Sequence, residues 1–158
     1  GVLNSWRVTT ADRISEVTCI DGCFCLIKRK VLEKVGLFDH VFPYGHYEVP
    51  SLCQRVANAG FRMVAVPDTS VWHKVGKSTG DQRAYELASA FRVSRNCVIF
   101  ARRHLSLPHY LLFLTMLPVH ILAWLAPSTW RTRSLRGLPN ILRGLREGFT
   151  WQGRNNLA

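Results

Sequence analysis

Acid is nearly absent from the last third of this 158-residue chain: residues 92–158 hold ten arginines and one carboxylate side chain, Glu147. Residues 1–91 carry 11 basic and 9 acidic side chains, so the net charge of +11 lies almost wholly in that last third. Such an excess attracts a negatively charged neighbour, either nucleic acid or an anionic lipid surface. A second absence separates the two. Between Leu105 and Trp130 there is no Lys, Arg, Asp or Glu, and the run LPHYLLFLTMLPVHILAWLAP fills residues 107–127. A nucleic-acid arm has no use for so many leucines, so the expected partner is an anionic membrane surface and no nucleic acid. The competing class, a small basic nucleic-acid-binding protein, requires DNA or RNA binding by residues 92–158 with a steep salt dependence.

An N-terminal signal peptide is also missing, as is an initiating Met, so Gly1 reads as the start of a fragment or a processed piece. The cysteines are Cys19, Cys23, Cys25, Cys53 and Cys97, an odd number that favours reduced thiols in a cytosolic compartment. Their Cys-x3-Cys-x-Cys cluster lacks a second ligand pair at zinc-site spacing, which leaves buried thiols in a strand as the expectation. There is no internal repeat and no low-complexity segment. With 47% hydrophobic and 20% charged residues, the chain has the composition of a folded protein and the length for a sizeable core.

EVTCIDGCFCLIKR (16–29) predicts a strand, a turn at Asp21-Gly22 and a second strand. RKVLEKVG predicts a helix with Val31, Leu32 and Val35 on one face and Gly36 as its stop. LFDHVFPYGHYEV (37–49) is an aromatic loop, long enough to carry function. PSLCQRVANAG predicts a helix with Pro50 first, an apolar face of Leu52, Cys53 and Val56, and Gly60 at its end. Strands follow at 61–66 and 69–73, then the basic loop KVGKSTG (74–80), then helical spacing from Asp81 to His104. Strands alternating with helices predict an α/β layer arrangement. The segment 107–127 is long enough to span a bilayer, but His109, His120, Pro118 and flanking arginines favour a kinked helix pair lying in the interface. Residues 130–149 then resemble a basic amphipathic surface helix; the alternative is a core helix of an undivided globular domain.

DGCFCLIKRKVLEKVGLFDHVF (21–42) and LCQRVANAGFRMVAVPDTSVWHKVGKSTG (52–80) together resemble the C-terminal half of the catalytic domain of family 2 glycosyltransferases. These are inverting enzymes of GT-A fold, rhamnosyltransferases among them. The resemblance covers about residues 16–104, with RVSRNCVIFARRH (92–104) matching the Arg-Asn segment that commonly follows that domain. It implies an α/β, partial GT-A fold over 1–104; the apolar run and the arginines beyond it predict a basic helical, membrane-associating extension over 105–158, interfacial or membrane-embedded. It places Asp39 on the family's Phe-Asp and Arg55 on its Leu-Cys-x-Arg. His73 falls on the histidine that helps hold a divalent metal, Mg2+ or Mn2+, and the nucleotide-sugar diphosphate. Imidazole at a strand end suits a metal, and Lys74 and Lys77 on a Gly-containing loop suit phosphates. An exposed His-Lys pair after an edge strand is the plainer alternative.

Glu48 is where the match departs. The family has Glu-Asp, with the Asp as the general base that removes the acceptor hydroxyl proton. Counting back from Leu52-Cys53-Gln54-Arg55 places Glu48 on the Glu and Val49 on the Asp; counting forward from Phe38-Asp39 places Glu48 on the Asp itself. Glu48 is therefore either the replacement base or a helix-start carboxylate favoured by the helix dipole. No Asp-x-Asp and no Gly-rich phosphate loop occur, so these residues alone are not expected to bind a nucleotide sugar. The expected function is transfer of a sugar from a nucleotide-diphosphate donor to a glycan or lipid-linked acceptor at the cytoplasmic face of the membrane. Glu48 is its base, His73 a metal ligand, and Arg55 and Lys77 substrate contacts. Asp21 and Asp39 are candidates for acceptor positioning or plain turn residues. The alternative is an inactive glycosyltransferase fragment that binds a membrane or a partner enzyme.

Overall fold

In a computed structural model, the described residues are 13–42, 46–67, 71, 82–132 and 137–153. They form a mostly helical chain with one small sheet: β1 (Ser15–Val17), α1 (Arg29–Val35), α2 (Glu48–Asn58), β2 (Met63–Ala65), α3 (Gln82–His104), α4 (Leu107–Thr132) and α5 (Leu138–Thr150). By their contacts, the described residues within 1–39 and 49–74 make one unit and those within 40–48 and 75–158 another. This grouping differs from the expected boundary at residue 104, because α3 is covered by α5 and α4.

In the first unit β1 pairs antiparallel with β2, Glu16 opposite Val64. The two strands expected within 16–29 reduce to β1 alone. Beyond it Asp21 Oδ1 accepts the Cys23 N–H at 2.9 Å, a side-chain turn that competes with strand pairing. The cysteine cluster consequently leaves the sheet: Cys19, Cys23 and Cys25 are exposed, whereas Cys53 and Cys97 are buried on helices. α1 stops at Gly36, whose φ of 79° is open to glycine, and its N–H bonds the Leu32 carbonyl. α2 begins two residues before Pro50, which sits in the first turn where its missing N–H costs no helical bond. Gly60, φ 78°, closes α2 with Phe61 N–H on Val56 O and Gly60 N–H on Ala57 O, the paired bonds of a Schellman end. Ser51, Leu52, Cys53 and Val56 are the buried face of α2.

In the second unit α3 carries the core: Ala90, Cys97, Val98, Ile99 and Ala101 are buried on it. α4 runs antiparallel to α3, Leu117 meeting Cys97 and Val98 and Ile121 reaching Ala90. It is one continuous helix across Pro118 and not the expected pair, the turns on either side of the proline being helical. Among the described residues no helix is long and apolar enough to cross a membrane. α5 packs parallel to α3, with Asn140 Nδ2 donating to Leu87 O, Ile141 on Ala90, and Gly144 and Gly148 against the α3 backbone. A Cβ at Gly144 would lie 2.4 Å from the Phe91 carbonyl, and one at Gly148 2.8 Å from that of Arg95, so only glycine permits this approach. One face of α5 is thus covered by α3, while Leu142 and Phe149 remain exposed; the covered stripe is not visible in the sequence because glycine adds nothing to an apolar pattern.

Candidate functional site

Glu48 is the first residue of α2, and the two residues before it are strained. His46 and Tyr47 have φ of 71° and 77°, the left-handed region that side chains with a Cβ rarely occupy. α3 holds them there. Asn96, 1% exposed, donates from Nδ2 to the His46 carbonyl at 3.0 Å, and Tyr47 packs its ring 5.4 Å from that of Phe100. Burial pushes the Tyr47 hydroxyl pKa up, with a smaller contribution from the Cys97 thiol. The Cys97 thiol is itself pushed up to about 11, mainly by burial.

The other end of this loop is held by the neighbour of Asn96. Arg95 Nη1 donates to the Val41 carbonyl at 2.8 Å and to Asn96 Oδ1 at 2.9 Å, while Nε bonds Glu147 Oε1 on α5 at 2.6 Å. One connected set of polar groups thus runs from α5 through α3 to both described ends of the loop.

Within the loop, burial lowers the His46 pKa from 6.5, as does the Arg92 guanidinium, against a smaller opposing effect of Glu48. The imidazole is therefore neutral at pH 7, a proton acceptor rather than a cation beside the Glu48 carboxylate. Glu48 Oε2 is buried with no hydrogen-bond partner among the described residues. A buried polar atom left without a partner is costly; Ser89 Oγ on α3 is in the same state.

The remaining sequence candidates separate. Asp21, Asp39 and Arg55 belong to the first unit and Glu48 to the second. Asp21 forms the turn described above. Arg55 donates from Nη1 to the Val35 carbonyl and from Nη2 to the Leu37 carbonyl at 2.7 Å, joining α2 to the end of α1. Its guanidinium is thereby engaged with main chain at the α1 terminus, where a cation complements the helix dipole. Val49 packs its Cγ2 where a Gly22 Cβ would stand, at 2.7 Å. Cys19 and Cys53 adjoin: burial and the Cys53 thiol push the Cys19 pKa up to about 11, and Ile20 N–H reaches Cys53 Sγ at 3.5 Å. His73 and Lys77 lie outside the described residues. Among the described residues no group of three or more His, Cys, Asp or Glu side chains is placed to hold a metal ion.

Several arginines of the basic third are engaged internally. Arg102 Nη1 donates to the carbonyls of Gly148, Phe149 and Trp151, closing the C-terminal end of α5. Arg92, Arg103 and Arg143 lie over the rings of Tyr85, Trp151 and Phe91 at 5.6, 5.7 and 5.0 Å. Sequence reasoning did not assign Arg95, Asn96, His46 or Glu147 a role. The available signals were the Arg-Asn pair itself and the lone carboxylate at 147 among arginines. No protein-family model matches the chain, and no curated protein or solved structure does either.

Proposed function

We propose that the chain is the acceptor-side part of an inverting, family 2-like glycosyltransferase of GT-A fold. Its donor is a nucleotide-diphosphate sugar, and its acceptor is a hydroxyl of a glycan or lipid-linked glycan at the cytoplasmic face of an anionic membrane. Glu48 takes the proton of that hydroxyl as its oxygen attacks the anomeric carbon. The bond from this carbon to the diphosphate oxygen breaks on the opposite side, the configuration inverts, and the nucleoside diphosphate leaves with the bonding electrons. Asp21 and Asp39 are the candidates for placing the acceptor, Arg55 joins α2 to the end of α1, and Lys77 meets the diphosphate. The resemblance implies Mg2+ or Mn2+ with His73 as one ligand; the described residues form no site for it, and no step above runs through it.

The observation that carries this reading is the buried Oε2 of Glu48, without a partner among the described residues and directly after the left-handed His46 and Tyr47. A carboxylate serving only the helix start would need neither burial nor strain. The membrane part rests on α4: Leu107, Leu111, Leu112, Val119 and Leu122 are exposed on a helix whose stretch 105–130 carries no charged side chain, within an arginine-rich third.

One observation favours the second reading, an inactive fragment that binds a membrane or partner. Counted back from Leu52-Cys53-Gln54-Arg55, the family's acid position falls on Val49, which is packed on Gly22. Val49→Asp separates the two. With nucleotide sugars, Mn2+ and lipid, assayed on the protein as its source makes it, the enzyme reading predicts activity in the native protein. Activity confined to Val49→Asp would establish the native chain as a relic.

A further inference from the structure

We propose that Arg95 is a positioning residue that couples α5, through Glu147, to the loop ending at Glu48. The geometric part stands on the contacts alone; its catalytic consequence rests on the glycosyltransferase reading above.

Arg95 is nearly buried, its side chain 14% exposed, and it is shared among three partners on three segments. Nε is committed to Glu147, 52 residues away on α5, and Nη1 to the Val41 carbonyl, 54 residues away at the start of the loop. The bond from Nη1 to Asn96 Oδ1 orients that amide so that Nδ2 meets the His46 carbonyl at the far end. A lysine in the same place retains the charge but has one nitrogen and no planar fork, so it cannot serve Glu147 and Val41 in fixed directions at once. An ordinary helix-to-helix ion pair needs only the Glu147 contact. The loop contacts are additional, and they fall on the segment whose backbone sits in the left-handed region and needs external support.

Glu147 is half-exposed, 46%, so the pair alone contributes little to stability. Its role is directional: it fixes which way the guanidinium points. The bonds that reach Val41 and His46 then hold Tyr47 on Phe100 and present Glu48 in one orientation.

Hydrogen exchange measured by mass spectrometry on the whole chain tests this, using Arg95→Lys and the double exchange Arg95→Glu with Glu147→Arg. In Arg95→Lys, the amides of residues 41, 42 and 46–48 should exchange about tenfold faster, the effect of losing one directed hydrogen bond, while α5 amides stay protected. The double exchange restores an α3–α5 ion pair, but the carboxylate it introduces on α3 has no donor for the Val41 carbonyl, so the loop should remain fast. The His46 imidazole, followed by NMR, should titrate closer to 6.5 in both proteins as its burial is lost. A double exchange that returns loop and His46 to native behaviour would overturn the proposal and leave Arg95 a plain ion-pair residue. Unchanged loop exchange in Arg95→Lys would overturn it too. If Glu48 proves catalytically irrelevant, these outcomes still decide the positioning claim, because none of them is read from activity.

Discussion

α2 and α5 are both amphipathic helices of similar length, and they solve burial differently. α2 hides side chains, with Leu52 1% and Val56 7% exposed. Around it the first unit leaves Leu26, Leu37, Ile14 and Phe24 outside, and its sheet is two strands of three residues. α5 hides backbone: two of its three buried residues are glycines, and its C-terminal carbonyls are satisfied by Arg102. The contrast teaches that the positive charge of the last third is partly architectural. Arginines there close a helix end, cover rings and brace a loop, work that composition alone assigns to an external partner.

The contrast is broken most strongly at Leu52. Leu52→Ala should cost about 2–5 kcal/mol in urea unfolding followed through α2 amide exchange, because the site is enclosed by side chains. Gly148→Ala comes next, at about 1–3 kcal/mol, since its methyl would meet both the Arg95 carbonyl and Val98 and α5 must back away. For Gly60→Ala, no described residue lies within 4 Å of the added methyl, so only the left-handed φ opposes it, about 1 kcal/mol. Arg102→Ala should cost about 1 kcal/mol, read as faster exchange in the last turn of α5, because its bonds are partly exposed to water.

The smallest effect is a pH dependence. His46 has its folded pKa below the ordinary 6.5, so the unfolded chain binds the proton more readily. Its contribution is complete above 6.5 and is lost as the pH falls below that value through the folded pKa. Stability should therefore decline from about pH 6.5 downward by more in the native chain than in His46→Gln, measured by urea midpoints at pH 7 and pH 5.

Local signals made much of this architecture legible. Val31, Leu32 and Val35 with Gly36 define α1, and Leu52, Cys53 and Val56 with Gly60 define α2, because period and stop residues are adjacent in sequence. α4 was misjudged because Pro118 reads as a break, whereas a long apolar helix tolerates one lost bond. The cysteine strand failed because Asp21 bonds its own backbone two residues on, which outweighs the β preference of its neighbours. Glu48 stood out as an acid in an aromatic loop, but the residues that brace it did not. Val41, Arg95 and Glu147 are each some fifty residues apart, and no local period reports such a meeting.

Whether Glu48 acts as a base is decided by Glu48→Gln. Gln keeps the shape and the helix start but cannot take a proton. Sugar transfer to a lipid-linked acceptor should fall at least about 100-fold, with loop exchange and unfolding midpoint unchanged. Transfer at the native rate in Glu48→Gln would contradict the claim and leave this residue a helix-start carboxylate.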